Sequence, residues 1–223
     1  MEAWYFTEMP YPHLPPQDSY PSDRVSLSNA HYDPEIGADL YNRYLDEYIV
    51  ADELGLNLML NEHHQTPTCL DAAVPLTAAI LARETSKGRI LVLGNPVANR
   101  ADPVRIAEEM AMVDCISRGR LDMGLVRGSP YEIAPTNAKP VGQMERFWEA
   151  HDLIIKALST RDEPFSWMPC RLPLTRLAWM TLGSPSVKGV QVSPPSVDLK
   201  MPVPAPPNAP PSRKLCCWGH SVA

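Results

Sequence analysis

The residues of this sequence best suited to chemistry are an acid and two histidines that follow a short apolar run. The run covers 56–60 and leads through Asn61 to Glu62, His63 and His64. Side chains of an extended strand alternate between its faces, so the leucines of the run share one face and His63 falls on the other. A strand covered on both faces, with polar groups at its carboxyl end, is typical of a parallel α/β sheet or barrel. The candidate functional centre is therefore the end of this strand.

Other interpretations of these residues stay open. A single histidine at a strand end is more often a hydrogen-bonded structural residue than a catalytic one. The adjacent pair His63 and His64 could suggest a metal, but neighbouring strand residues point to opposite faces, and the two-apart histidine pattern of barrel hydrolases is missing. The five cysteines also lack the spacing of a metal site. The sequence therefore predicts no metal.

Alternating strands and helices must position this centre. Asp33-Pro34 and Asp102-Pro103 combine a capping acid with a proline in the first helical turn, and each predicts the start of a helix. The segment 68–71 resembles a capping box for a further helix over 69–87. Strands are expected near 3–6, 56–60, 89–94 and 120–126, and helices at 34–54, 69–87, 103–118 and 143–159. Alternation of this kind predicts a parallel sheet of about four βα units, half of a TIM-type barrel.

Composition limits the partners and the compartment. The chain of 223 residues has a net charge of -6 and an isoelectric point near 5.5, which argues against nucleic acid or an anionic membrane as partner. No apolar run is long enough to span a bilayer, and the N-terminus lacks the features of a signal peptide. An odd number of cysteines in such a chain suggests reduced thiols, so we expect a cytoplasmic protein.

The C-terminal part has a different composition. Eleven of the 25 prolines lie beyond residue 168, and proline can neither continue a helix nor donate to a sheet. We therefore predict one α/β domain over 1–167, followed by a Pro-rich, largely disordered tail over 168–223. A ligand for a proline-binding groove is the sharper alternative for this tail.

Three segments together resemble the bacterial luciferase-like flavin-dependent monooxygenases. They cover 61–66, 98–109 and 117–128, stand in the family's order and spacing, and belong to a match running from about Trp4 to Trp167. The resemblance implies a TIM barrel that binds reduced FMN, or F420 in one branch, and acts with O2 on a small organic substrate. It also implies a flavin reductase as supplier and a homodimer formed through the helices 69–87 and 103–118.

The resemblance implies roles for Glu62, His63 and His64 at the end of the second strand. His63 corresponds to the family's active-site histidine beside the flavin, where an imidazole with a pKa near ~6.5 can transfer protons at working pH. Glu62 and His64 correspond to neighbours that orient or pack.

The resemblance also implies cofactor contacts on the next two strands. Arg127 matches an arginine that meets the flavin phosphate, with Gly128 beside it, although Arg127 could equally pair with a surface carboxylate. Asn95 would face the flavin ring. Val126 stands where luciferase carries a reactive cysteine, so light emission gains no support.

The chain departs from the family after residues 165–167. Family members continue through four further strand–helix units, whereas here the proline-rich segment follows. A truncated or frame-shifted reading is the simplest expectation from this change. Two functions therefore stay open: a flavin-dependent monooxygenase, and a catalytically inactive fragment that at most dimerises.

Overall fold

The computed structural model of the protein describes residues 1–161, 165–167, 175–177 and 190–192. Seven strands and four α-helices alternate through most of this part of the chain. The strands are β1 (Trp4–Phe6), β2 (Asn57–Leu60), β3 (Ile90–Pro96), β4 (Leu121–Val126), β5 (Phe165–Trp167), β6 (Thr175–Leu177) and β7 (Val190–Val192). The helices are α1 (Pro34–Glu53), α2 (Val74–Glu84), α3 (Pro103–Ser117) and α4 (Gln143–Ser159).

The main sheet is parallel throughout. Its order is β1-β2-β3-β4-β7, and every neighbouring pair runs in the same direction. Leu58 of β2 lies opposite Ile90 of β3, which in turn lies opposite Leu121 of β4. The predicted α/β fold with a parallel, barrel-type sheet is confirmed.

Two helices begin where the acid–proline pairs predicted. The Asp33 carboxylate accepts the Glu35 and Ile36 N–H groups at the start of α1, and the Asp102 carboxylate caps α3 in the same way. Each proline falls in the first turn, where its missing N–H would have had no helical partner. Local sequence alone therefore fixes both starts.

The start of α2 differs from the prediction. The expected helix over 69–87 is shorter, Val74–Glu84, and the Thr68 hydroxyl pairs with Thr66 within a loop instead of capping a helix. The buried Glu62 carboxylate, well upstream, accepts the Val74 N–H at 3.0 Å. A tertiary contact thus satisfies the helix start, and no cap is needed within the loop.

The core lies between the sheet and the helices. The buried positions of β2 and of the first half of β3 are filled by leucine, isoleucine and valine, and Tyr48 of α1 is fully buried in the same core. The Tyr48 hydroxyl donates to the Met59 carbonyl at 2.7 Å, so its one polar group is paired. None of the helices in the described ranges is long and apolar enough to cross a membrane.

The described residues of the segment 168–223 form two short strands. β6 pairs antiparallel with β5, and β7 adds a fifth parallel strand beside β4, where the sequence predicted about four. In the sequence Val190-Gln191-Val192, β-branched residues alternate with a polar one, as is common in strands. The prolines on both sides are the reason that no strand was predicted here. The rest of the segment for which a disordered tail was predicted lies outside the described residues.

The amino ends of the strands are joined by a buried acid and an arginine. Asp52, at the end of α1, accepts the backbone N–H groups of Ser86, Lys87 and Gly88. Arg120, just before β4, donates to the Gly88 carbonyl and to carbonyls at the end of α2. Burial acts to raise the pKa of Asp52, but the three N–H donors and Arg120 outweigh it, so the pKa lies below its usual value.

Replacing Asp52 with asparagine should destabilise the fold. We expect Asp52→Asn to lower the free energy of unfolding by about 2 kcal/mol at neutral pH, because buried N–H donors lose a charged acceptor. A carboxyl whose pKa is lowered on folding stabilises above its unfolded pKa of about 3.9, and this stabilisation disappears as the pH falls through the folded pKa. Urea unfolding should therefore show a larger difference in stability between wild type and variant at about pH 7 than at about pH 3. An equal difference at both pH values would contradict this origin.

Candidate functional site

The predicted site residues lie at or just after the carboxyl ends of three parallel strands. Glu62, His63 and His64 follow β2, Asn95 lies near the end of β3, and residues 126–128 end β4 and begin the next loop. Carboxyl ends of parallel strands share one edge of the sheet, where α/β folds place their binding sites.

Glu62 binds three separate parts of this edge. Its side chain is fully buried, and Oε1 contacts the Arg100 guanidinium at 2.6 Å and His64 Nε2 at 2.9 Å. Oε2 accepts the Val74 N–H. A buried carboxylate is stable only when it is paired and hydrogen-bonded. Glu62 and His64 therefore connect the loops after β2 and β3 to the start of α2.

His63 has a different carboxylate partner, Glu132, which the sequence analysis missed. Glu132 ends a 3₁₀ turn over Pro130–Glu132 in the loop after β4. Its Oε1 lies 2.8 Å from His63 Nδ1 and accepts the His64 backbone N–H at 3.1 Å. The spacing of Ser129 and Glu132 is that of a capping box, and this was the available signal for an ordered acid here.

The Glu132 pairing changes the proton affinity of both groups. The hydrogen bond and the charge of Glu132 raise the pKa of His63 above its usual value, and burial opposes this only in part. A second carboxylate, Glu8, lies 3.8 Å from Nε2. Burial would raise the pKa of Glu132, but the His63 ring and the backbone N–H groups of His64 and Ser129 lower it overall. The pairing thus favours a protonated His63 beside an ionised Glu132.

A cavity of about 310 Å³ opens beside His63. The loop between β1 and α1 and the loop between β2 and α2 form its walls. The lining residues include no Asp, Glu, Lys or Arg: Tyr11, Leu14, Leu27, Ser28, Asn29, His31, Tyr32, His63, Gln65, Thr66, Pro67, Cys69, Leu70 and Ala72. A volume of this size lies at the lower end of the range for small-molecule sites.

One wall of the cavity depends on a glycine in α1. Tyr32 packs its ring against Tyr11 with centroids 5.1 Å apart. A Cβ at Gly37 would overlap the Tyr32 hydroxyl. The absence of a side chain at position 37 therefore allows Tyr32 to lie against the helix.

Polar groups without partners lie near the ends of β3 and β4. Asn95 is fully buried, yet neither its amide nitrogen nor its amide oxygen has a partner among the described residues. The Arg127 guanidinium has one weak contact, 3.9 Å to the Met144 sulfur, and no carboxylate of the described residues within 4.0 Å. Unpaired buried polar groups cost about 1–3 kcal/mol each, so they are expected where a ligand completes the pairing.

The backbone after β4 passes close to the next loop. Gly128 adopts a φ of +94°, and a Cβ there would lie 2.5 Å from the Asn99 amide nitrogen. That nitrogen also lacks a partner among the described residues, while the Asn99 oxygen accepts from Gln143. Val126 pairs in the sheet with Pro96 and offers no thiol. Unpaired donors and a glycine-lined backbone suit a polar cofactor with a phosphate.

A barrel-type parallel sheet with these groups at its carboxyl edge matches a known family. The family model for luciferase-like monooxygenase matches residues 26–192, which is most of the chain. The protein therefore belongs to the luciferase-like monooxygenase family, and the resemblance found in its sequence is confirmed.

Among curated proteins, the chain is similar to the oxygenase component of a flavin-dependent trigonelline monooxygenase from Acinetobacter baylyi. The two are 35% identical over 98 residues, which cover 44% of this chain and 27% of that protein. The matched segment thus spans about a quarter of that relative.

Solved structures share the fold. The FMN complex of the oxygenating constituent of 3,6-diketocamphane monooxygenase from Pseudomonas putida superposes with a TM-score of 0.58 at 15% identity, over 80% of this chain and 43% of that one. The monooxygenase RslO1 from Streptomyces bottropensis gives 0.60 at 19% identity, over 85% and 52%. An F420-dependent secondary alcohol dehydrogenase gives 0.52 at 19% identity, over 66% and 46%. The chain spans about half the length of these structures.

Removing the charge of Glu62 should lower the stability of the protein. In Glu62→Gln, the partly buried Arg100 and the ring of His64 lose their carboxylate, and we expect the free energy of unfolding to fall by about 3 kcal/mol. Urea denaturation at neutral pH measures this change. Glu8→Gln is the matched control, because Glu8 is a partly exposed acid of the same edge, and it should change stability by less than about 0.5 kcal/mol. Equal effects of the two substitutions would refute the structural role of Glu62.

Proposed function

We propose that this chain binds reduced FMN at the carboxyl ends of β2, β3 and β4 and serves as the oxygenase part of a flavin-dependent monooxygenase. Membership of the luciferase-like family supports the reaction class. The observation that carries the proposal is a paired imidazole, His63, at a ligand-sized cavity, with unpaired Asn95 and Arg127 on the next strands. Bound reduced flavin would supply the two electrons needed to activate O2.

The residues on β3 and after β4 would hold the cofactor. Arg127 offers a planar set of donors that suits a phosphate. Gly128 lets the Asn99 amide nitrogen lie close to the backbone after β4, and this unpaired nitrogen is a further donor for the cofactor. The Asn95 amide offers both a donor and an acceptor, which matches the mixed edge of a flavin ring. One structural relative is an F420-dependent secondary alcohol dehydrogenase, so F420 is the alternative cofactor.

His63 would transfer a proton between the cavity and the reaction centre. Its contact with Glu132 raises the pKa of His63 above the usual value, and a positioned imidazole can both donate and accept a proton, as general acid–base catalysis requires. The cavity lining has no Asp, Glu, Lys or Arg, so a small uncharged organic molecule fits it better than a strongly charged one. One structural relative is named for a diketone, 3,6-diketocamphane, so a neutral ketone is the first trial substrate. Trigonelline, named for the Acinetobacter relative, is the charged comparison.

The proposed assembly follows the same family pattern. The relative is an oxygenase component, and we infer that a separate flavin reductase supplies the reduced cofactor here too. Four large apolar residues are exposed on two adjacent helices: Leu76 and Ile80 on α2, and Met112 and Ile116 on α3. Covering them in a homodimer would remove this apolar surface from water.

Flavin binding tests the proposal directly. Anaerobic titration of the full chain with reduced FMN, followed by flavin absorbance, should show saturable binding. Arg127→Ala should raise the dissociation constant about 10-fold to 100-fold, the loss expected for charged hydrogen bonds to a phosphate. Arg43→Ala is the control, since Arg43 is an exposed arginine of α1 paired with Glu47.

Each other outcome has a definite meaning. Equal affinities of the two arginine variants would remove Arg127 from the site. Tighter binding of reduced F420 in the same titration would select the alternative cofactor. An absence of binding of either flavin by the wild type would favour the second interpretation, an inactive fragment that at most dimerises.

Removing the His63 imidazole should separate chemistry from binding. We expect His63→Ala to lower oxygenation of the trial ketone by about 100-fold or more, the usual contribution of a general acid–base group, with the affinity for reduced FMN nearly unchanged. Product formation per turnover of supplied reduced flavin is the measurement. His151→Ala is the control, because His151 lies on α4 and pairs with Asp152. Full activity of His63→Ala would exclude this residue from the mechanism.

A further inference from the structure

We propose that Glu132 is a positioning residue that holds the neutral His63 ring with its proton on Nδ1 and leaves Nε2 as the proton acceptor at the cavity. The inference rests on the proposed proton-transfer role of His63 and assigns that role to a particular nitrogen. It also assigns a function to a residue of the loop after β4, 69 positions further along the chain.

The Glu132 carboxylate is held in place by contacts other than the imidazole. The residue is almost completely buried. Its Oε2 accepts the backbone N–H of Ser129 at 3.2 Å, and its Oε1 accepts the backbone N–H of His64 at 3.1 Å. Two backbone donors from different loops therefore set the position of both oxygens and favour the ionised form.

An ionised carboxylate determines the tautomer of its partner. It can only accept hydrogen bonds, so the contact of 2.8 Å between Oε1 and His63 Nδ1 requires the proton to lie on Nδ1. A neutral imidazole carries one proton, and Nε2 then bears the free lone pair. The His63 backbone is held as well, since its N–H donates to the Asp71 carbonyl at 3.1 Å.

Other groups around the ring bind it less closely. The nearest is Glu8, whose carboxylate lies 3.8 Å from Nε2 on a side chain that is 42% exposed, so water screens its charge. The cavity lining adds the titratable groups Tyr11, His31, Tyr32 and Cys69. Arg24, in the loop after β1, lowers the pKa of His63 through its charge. Glu132 is therefore the partner expected to decide where the proton lies.

Nitrogen NMR of the full chain, labelled with ¹⁵N-histidine, tests the proposal. Above the titration midpoint, His63 should show a protonated Nδ1 and an unprotonated Nε2. In Glu132→Gln, which keeps the shape and removes the charge, the midpoint should move to lower pH by about one pH unit. The matched Glu8→Gln variant should keep the tautomer and move the midpoint much less.

Two results would overturn the proposal. One is a neutral wild-type ring with its proton on Nε2. The other is a His63 midpoint that Glu132→Gln and Glu8→Gln shift equally. If Glu132→Gln does not fold, the tautomer of the wild type alone decides. This measurement needs no flavin, so a chain that fails to bind FMN but shows the Nδ1 proton would refute the proposed function and leave the role of Glu132 intact.

Discussion

The burial of one carboxylate governs the geometry at the carboxyl edge of the sheet. Glu62, just after β2, is buried away from water. An ionised carboxylate is stable in such a place only if other charges and hydrogen-bond donors replace the water that solvated it. Arg100, His64 and the first N–H of α2 provide that replacement. Three separate segments must therefore come together before this acid is satisfied, and their meeting fixes the backbone on both sides of His63.

The two ends of the sheet differ in how completely their polar groups are paired. At the amino ends of the strands, Asp52 and Arg120 find all of their main partners within the protein. At the carboxyl ends, Asn95 and Arg127 keep unpaired atoms among the described residues. Protein groups that are fully satisfied hold a fold, whereas incompletely satisfied groups are available to a ligand.

Short-range patterns predicted most of the fold, but they missed one acid of the candidate site. The starts of α1 and α3 follow from Asp–Pro pairs because each capping carboxylate and the N–H groups that donate to it lie within three residues. The shorter α2 could not be predicted, since its first N–H binds Glu62 12 positions earlier. Glu132 was missed for the same reason: no local pattern shows that a turn after β4 reaches the histidine after β2. The three family segments identified His63, whose role stays a prediction.

The contact between Tyr32 and the bare backbone of Gly37 links the shape of the cavity to a helix outside it. A methyl group added on α1 would displace an aromatic wall while leaving His63 and Glu132 untouched. Selectivity for a substrate can thus drift during evolution through a residue that never meets the molecule being selected, and related chains with identical reactive groups can diverge in what they accept.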